Sequence, residues 1–363
     1  MIYYLNIESY QARYTDSLTY WTTSRLKARN IPFVCVEGIT VSDGIKVGRV
    51  LDARGRGIYG LTQMTKLIEL SQYFQDGDVI YLDDMFTPGY EAIPYLLDQL
   101  NVKVSIVARN YAQSVDIDDF TFGMRRWMRP FEQMVSNSAQ TILVGSTCHK
   151  ELMQVAMLEC PTHVVGLPFD KYAVLRLAGD LPLWKYKPKQ VIFSSRFDAE
   201  KQPHFFMDVV EQVLSIDSSV QFCICTGASS LRSNDPTALT RLESLAATGS
   251  IRVHENLTKE AYYRTLKNSR VQFNCAKQDF ISFTAIEAST LGVPTLAAAY
   301  KSFPETLFNN HKQLYIPWSV ESAVQQILYL LDNEQDAEVV KRVSDYNHEC
   351  LDRIIDIIEG YTV

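Results

Sequence analysis

Arg196 and Lys201 stand five residues apart in SSRFDAEKQPHFF, directly after the apolar run Val191–Ser194. A planar guanidinium and a compact ammonium at the mouth of a strand-to-helix turn suit a diphosphate. The alternative is a solvated loop in which Lys201 pairs with Asp198 or Glu200. Further on, KQDFISFTAIEASTLGVP puts Asp279 in a loop and Glu287 eight residues later, midway along a short helix ending near Gly292 and Pro294. The amides of residues 281–284 read as an uncapped helix start, where phosphate or sugar oxygens are welcome, so Phe280, Ile281, Ser282 and Phe283 join the candidate contacts. Glu287 sits among Ala285, Ile286, Ala288 and Leu291, and an unpaired carboxylate in such a setting is costly. It requires a partner, either a ribose diol or a structural lysine or arginine. RVHENLTKEAYYRTL supplies a short strand ending at His254 and a helix carrying Tyr262, whose main chain suits a base; His254 reads equally as an ordinary loop histidine.

These groups need strands to hold them. Short apolar runs alternate with amphipathic segments through the first half: Ile2–Asn6, 17–29, Phe33–Glu37, 59–74, Val79–Leu82, 89–100, Val102–Ala108 and Thr141–Val144. The series restarts after Lys189 with Val191–Ser194, 203–215, Gln221–Thr226, 235–247, Arg252–His254, 258–267, Val271–Asn274, 283–291 and Thr295–Ala298. Such βα repetition predicts an α/β protein with two Rossmann-like domains whose parallel sheets face a central cleft. Residues 1–177 form the first domain, 178–190 (AGDLPLWKYKPKQ) a proline-marked linker, 191–345 the second domain, and 346–363 a terminal helix that crosses back to the first. Ser319 caps one late helix and another runs over 336–359. The three donor-side features fall in order at the C-terminal ends of strands, where doubly wound sheets bind ligands.

The segment 190–305 resembles the retaining GT-B glycosyltransferases of the family 4 type. Those proteins have an arginine and a lysine at this separation after the first strand of their C-terminal domain, and an E-x7-E motif followed by a Gly-Val-Pro turn. The resemblance implies that Arg196 and Lys201 hold a donor diphosphate, Asp279 and the amides after it the donor sugar, and Glu287 the ribose. Asp279 stands where the family has its first glutamate, and Phe280-Ile281-Ser282 where Gly-Phe-Gly is usual. DFISFTAIEA is also similar to the DNA glucosyltransferases of T-even phages. The expected activity is transfer from a UDP-type donor to an acceptor hydroxyl, with retention; the acceptor is a hydroxymethylated pyrimidine in phage-type DNA or a bacterial glycan or glycolipid. No tightly bound cofactor and no metal is expected.

Other motifs compete. Gly55-Arg56-Gly57-Ile58-Tyr59-Gly60 matches G-x-G-x-x-G, so an NAD-dependent oxidoreductase is one alternative and a non-catalytic nucleotide-sugar-binding module another. The motif does not follow the first strand, and with Lys46, Arg49, Arg54 and Arg56 it reads as a flexible loop suited to anions. Asp116-Ile117-Asp118 is a D-x-D, the mark of metal-dependent GT-A enzymes, but there the donor site would lie in the N-terminal half. Asp83 and Asp84 end a strand and are candidates for acceptor hydroxyls or a base, or for capping the turn FTPG. Arg109-Asn110-Tyr111 follows Val102–Ala108 where relatives often carry a histidine. The chain has no histidine before His149, so a base from residues 1–148 is a carboxylate, or retention proceeds without one.

Arg125, Arg126 and Trp127 lead MRRWMRPF, where cations interleave with aromatics as in nucleic-acid or membrane-surface contacts, unless Trp127 and Met128 join the core. Of 363 residues 47% are hydrophobic and 21% charged, and the net charge of −7 disfavours an unpatterned polyanion binder. No apolar run spans a bilayer and MIYYLNIESY lacks signal-peptide character, so a cytoplasmic location is expected, in a bacterium or a phage-infected host. Seven scattered cysteines without C-x-x-C spacing give no zinc signature.

Overall fold

The computed structural model describes residues 1–9, 14–41, 53–227 and 230–362. The chain divides into two compact units, Met1–Phe169 with Glu349–Val363, and Asp170–His348. Residues 178–190 fall inside the second unit.

The first unit runs β1 (Ile2–Leu5), α1 (Tyr14–Ala28), β2 (Phe33–Val36), α2 (Ala53–Leu70), β3 (Val79–Leu82), α3 (Ile93–Leu100), β4 (Ser105–Arg109), α4 (Arg125–Ser138), β5 (Thr141–Val144), α5 (Thr147–Val155) and β6 (Thr162–Val164). Its strands lie in the order β2-β1-β3-β4-β5-β6, every pair parallel. Helices cover both faces, so strands such as Ile2–Leu5 and Val79–Leu82 are buried throughout and read as continuous apolar runs. Alternate side chains part to the two faces. Tyr3, Leu5, Ile80, Leu82, Ile106 and Ile142 join one core; Ile2, Tyr4, Val79, Tyr81, Val107 and Leu143 join the other.

The second unit runs α6 (Lys171–Ala178), β7 (Gln190–Phe193), α7 (Pro203–Ile216), β8 (Gln221–Cys225), α8 (Pro236–Ala247), β9 (Ile251–His254), α9 (Lys259–Lys267), β10 (Val271–Asn274), α10 (Phe283–Thr290), β11 (Thr295–Ala298), α11 (Phe303–Thr306), β12 (Leu314–Tyr315), α12 (Val320–Asp332) and α13 (Ala337–His348). The order β12-β11-β10-β7-β8-β9 is again all parallel. The chain steps from β7 outward through β8 and β9, then returns to place β10 on the other side of β7. That reversal opens a crevice beyond the carboxyl ends of β7 and β10, the usual ligand position in such sheets. Phe193, Phe206, Phe222 and Phe273 lie in the core beneath it, each contributing about 1.5–3 kcal/mol on burial.

The last element, α14 (Cys350–Glu359), belongs to the first unit. The single helix expected over 336–359 is two, α13 and α14, and the unit boundary falls between them. Cys350, Leu351, Ile354, Ile355 and Ile358 complete the core formed by Ile2, Tyr4, Val79 and Tyr81. Arg25 pairs with Asp352, and Arg29 with Asp356 and Glu359.

His149, at the start of α5, is fully buried. Burial, with a smaller contribution from the Arg109 cation, holds its imidazole down at about 3. The unfolded chain binds that proton near the ordinary 6.5, so the stabilisation is whole above pH 6.5 and is lost as pH falls toward 3, by up to about 1.4 kcal/mol per pH unit. Asp83 and Glu132, whose carboxyls burial pushes up, act in the opposite sense on acidification. Urea titrations at pH 7.5, 6 and 5 are therefore expected to show a shallower fall for His149→Gln than for the wild type; equal slopes would contradict this assignment.

Candidate functional site

Both halves of the donor-side constellation lie on loops flanking the β7/β10 crevice of the second unit. After β7 the chain passes through Arg196 into a 3₁₀ turn, Ala199–Lys201, before Pro203 opens α7. Arg196 is half-exposed; Nη1 meets Asp198 Oδ2 at 2.9 Å and Nη2 meets Glu200. Lys201 is buried, with 7% of its surface exposed. Its Nζ donates to the Gln278 carbonyl at 2.9 Å and to Asp279 Oδ1 at 3.0 Å, with Glu200 Oε1 at 3.7 Å. The Asp198 pairing therefore goes to Arg196, while Lys201 ties the β7 loop to the β10 loop. Lys277 N donates to the Glu200 carbonyl at 2.9 Å, a second tie between the same loops.

The helix start expected to be uncapped is capped. Ser282 Oγ accepts from the Ala285 amide at 3.4 Å and from Asn274 Nδ2 at 2.9 Å. Asn274, the last residue of β10, thereby fixes where α10 begins. Phe280 and Ser282 are buried while Asp279, Ile281 and Phe283 are partly exposed. Ser302 Oγ donates to the Asp279 carbonyl and restrains the loop from its other side.

Glu287 lies in the middle of α10 with its side chain 3% exposed. Its partner within the chain is a lysine: Lys259 Nζ and Tyr263 Oη, both on α9, donate to Oε1 at 2.9 Å and 2.8 Å. No donor from the described residues reaches Oε2. Lys259 and Tyr263 escaped the sequence reading, although their i,i+4 spacing on an amphipathic helix places them on one face. His254 ends β9, half-buried, and its carbonyl accepts from the Thr226 amide at 2.9 Å. Tyr262 is buried, and burial raises its phenol well above its ordinary range.

In the first unit, Asp83 and Asp84 end β3, beside β1, where that sheet reverses direction. Asp83 is buried and accepts from Tyr4 Oη at 2.7 Å, Tyr81 Oη at 3.2 Å and Tyr111 Oη at 3.3 Å; burial raises its pKa. Asp84 is held by Arg56 and accepts from the Phe86 amide at 3.1 Å, the capping contact that is one of its two readings. Arg109 departs from the expectation of an acceptor-side cation. It is fully buried, donating to the Gly166 carbonyl and lying 4.8 Å from the Tyr111 ring centroid. A guanidinium enclosed in this way has no face left for an acceptor. Arg125, Arg126 and Trp127 lie exposed at the start of α4, whereas Met128 enters the core; Trp127 is 49% exposed.

The glycine-rich stretch is not a loop. Residues 55–60 lie within α2, and a Cβ on Gly60 would stand 2.1 Å from the Pro88 carbonyl oxygen. The motif serves helix packing and does not form the strand-to-helix turn that dinucleotide binding requires, which removes the structural basis for the NAD alternative. Arg56 is buried against Asp84 and Thr87; Lys46 and Arg49 lie outside the described residues. In the D-x-D, Asp116 Oδ1 accepts from the Asp118 amide at 3.0 Å. Among the described residues no group of three or more His, Cys, Asp or Glu is placed to hold a metal. No helix among them is long and apolar enough to cross a membrane.

Two six-stranded parallel α/β sheets, one in each unit, give the GT-B fold. Residues 182–348, within the second unit, match the family described as Glycosyl transferases group 1. Solved structures agree in fold. An α,α-trehalose-phosphate synthase (UDP-forming) from Burkholderia xenovorans, in complex with glucose-6-phosphate, is 11% identical over 99% of this chain and 100% of its own, with a TM-score of 0.67. TarM is 13% identical over 84% of this chain, TM-score 0.59. The pneumococcal O-GlcNAc transferase GtfA, in complex with UDP and GlcNAc, is 11% identical over 84% of this chain, TM-score 0.58. The chain spans 58% and 60% of the length of TarM and GtfA. No curated protein matches the sequence.

Proposed function

We propose that the protein transfers a sugar from a UDP-type nucleotide sugar to an acceptor hydroxyl, with retention. The observation that carries this reading is the Lys201–Asp279 pair that joins the β7 loop, with Arg196, to the β10 loop that leads into α10 and Glu287, within the segment that matches Glycosyl transferases group 1. Arg196, Lys201 and the amides at the start of α10 hold the diphosphate. Asp279, Phe280 and Ser282 bound the sugar, Glu287 takes the ribose, and the main chain near His254 faces the base. The bond between the anomeric carbon and the diphosphate oxygen breaks as the acceptor oxygen approaches the same face, and the acceptor's proton passes to the departing phosphate oxygen. Cations fixed before the reaction begins stabilise that leaving group without reorganising. UDP is favoured because two of the structural neighbours are described with it, as ligand or as product.

Calorimetry with UDP tests the donor site directly. Glu287→Ala is expected to weaken UDP binding by about tenfold or more, the loss of a hydrogen bond to a charged group; an unchanged affinity would remove Glu287 from the site. Incubation with UDP-sugars and either hydroxymethylated DNA or a glycan or glycolipid, read as mass shifts, identifies the acceptor. Asp84, Arg125, Arg126 and Trp127 are the acceptor-side residues in this reading; Asp83, buried and accepting from three tyrosines, is not. Nucleotide binding without donor consumption under any of these conditions would reduce the protein to a nucleotide-sugar-binding module.

A further inference from the structure

We infer that Lys259 is a second ribose ligand, acting with Glu287 as a donor and acceptor pair that selects a ribonucleotide over its 2′-deoxy counterpart; this rests on the donor-site reading above. Glu287 presents its two oxygens unequally. Oε1 already accepts from Lys259 Nζ and Tyr263 Oη at 2.9 Å and 2.8 Å, while Oε2 receives no donor from the described residues. Lys259 also has capacity left. An ammonium carries three donors, the Glu287 contact uses one, and the lysine side chain is 40% exposed against 3% for the glutamate.

The ammonium is not loosely placed. Thr258 Oγ1 accepts from the Ala261 amide at 3.2 Å and sets the first turn of α9. The Tyr262 and Tyr263 ring centroids lie 5.7 Å and 5.4 Å from Nζ, a distance at which the rings attract a cation. The result is an open carboxylate oxygen beside an ammonium with spare protons. A vicinal diol fits both, one hydroxyl donating to Oε2 and the other accepting from Nζ. A 2′-deoxyribose has only one of these hydroxyls and leaves one partner unmatched.

A purely structural role for Lys259, neutralising a buried carboxylate, would lower stability and weaken all nucleotides alike. The discriminating measurement is therefore the ratio of affinities for UDP and 2′-deoxy-UDP, taken by calorimetry on the full chain with thermal melts as the folding control. Wild type is expected to favour UDP by about tenfold, the loss of one charge-assisted hydrogen bond. Lys259→Met is expected to lose most of that preference. Lys259→Arg, which keeps the charge and the donors and serves as the readout should the methionine variant not fold, retains it. Tyr263→Phe weakens both nucleotides without changing the ratio. A wild type that binds both equally, or a Lys259→Met protein that keeps the wild-type ratio, overturns the inference while leaving the donor site standing. A wild type that binds neither nucleotide overturns the donor-site reading itself.

Discussion

Arg196→Ala is expected to lower sugar transfer by roughly 10²–10³-fold, the scale of removing one preorganised charge from a transition state, with a smaller loss of melting temperature than Lys201→Ala. The two halves of that expectation have separate grounds. Arg196 is half-exposed, but its partners Asp198 and Glu200 are largely buried, their side chains 4% and 14% exposed, so losing the guanidinium has a stability cost, limited at Asp198 by the Asn234 amide that still donates to it. Its removal takes away a cation at the diphosphate position and uncovers part of two carboxylates. Lys201 contrasts with it, being buried between Asp279, Glu200 and the Gln278 carbonyl. Lys201→Ala is expected to abolish transfer and also to destabilise the second unit, because breaking a buried pair leaves a carboxylate uncompensated. Turnover with a UDP-sugar and a melt on each variant check both statements. Wild-type turnover in Arg196→Ala and Lys201→Ala together would exclude the leaving-group role.

The largest expected loss of stability lies in the first unit, far along the sequence from the donor residues. Gly60→Val puts a Cβ 2.1 Å from the Pro88 carbonyl oxygen and 2.9 Å from Thr87 Cγ2, so backbone must move. Overpacking of this kind costs about 3 kcal/mol or more, or roughly 10 °C in melting temperature for a unit of this size. The displacement reaches further, since Thr87 holds Arg56, which in turn holds Asp84. Gly57→Val is the control, because a Cβ there meets nothing within 4 Å and valine is no worse a helix former than glycine. A melting temperature for Gly60→Val equal to that of Gly57→Val would refute the close-packing role.

Strands buried on both faces were the most legible part of the sequence. Val79–Leu82, Thr141–Val144, Val271–Asn274 and Thr295–Ala298 are strands with the bounds their apolar runs predict. β6 and β12 gave no such signal: Thr162–Val164 is short and partly exposed, and Leu314–Tyr315 is two residues long. α4 to α6 were hidden by mixed composition, with Pro130 standing inside α4. At the donor side, order and spacing showed which residues share the crevice, because the sheet brings the ends of β7 and β10 together. Partnerships were not legible, since they are tertiary. Lys259 lies 28 residues before Glu287, and nothing local marks the pair. The cap on α10 differs, because it is local: Ser282 has an ordinary N-cap preference three residues before Ala285, and that preference competes with its reading as a sugar contact.

The placement of α14 bears on the order in which the molecule can be made. The second unit is inserted in the chain between the two segments of the first, so it is fully synthesised before Glu349 is added. Domains generally fold as they emerge during translation. The second unit can therefore be complete while the sheet of the first still lacks the cover supplied by Leu351, Ile354, Ile355 and Ile358. Throughout that interval Ile2, Tyr4, Val79 and Tyr81 present an apolar sheet face to other nascent chains and to chaperones, and the synthesis of α14 is what ends that exposure.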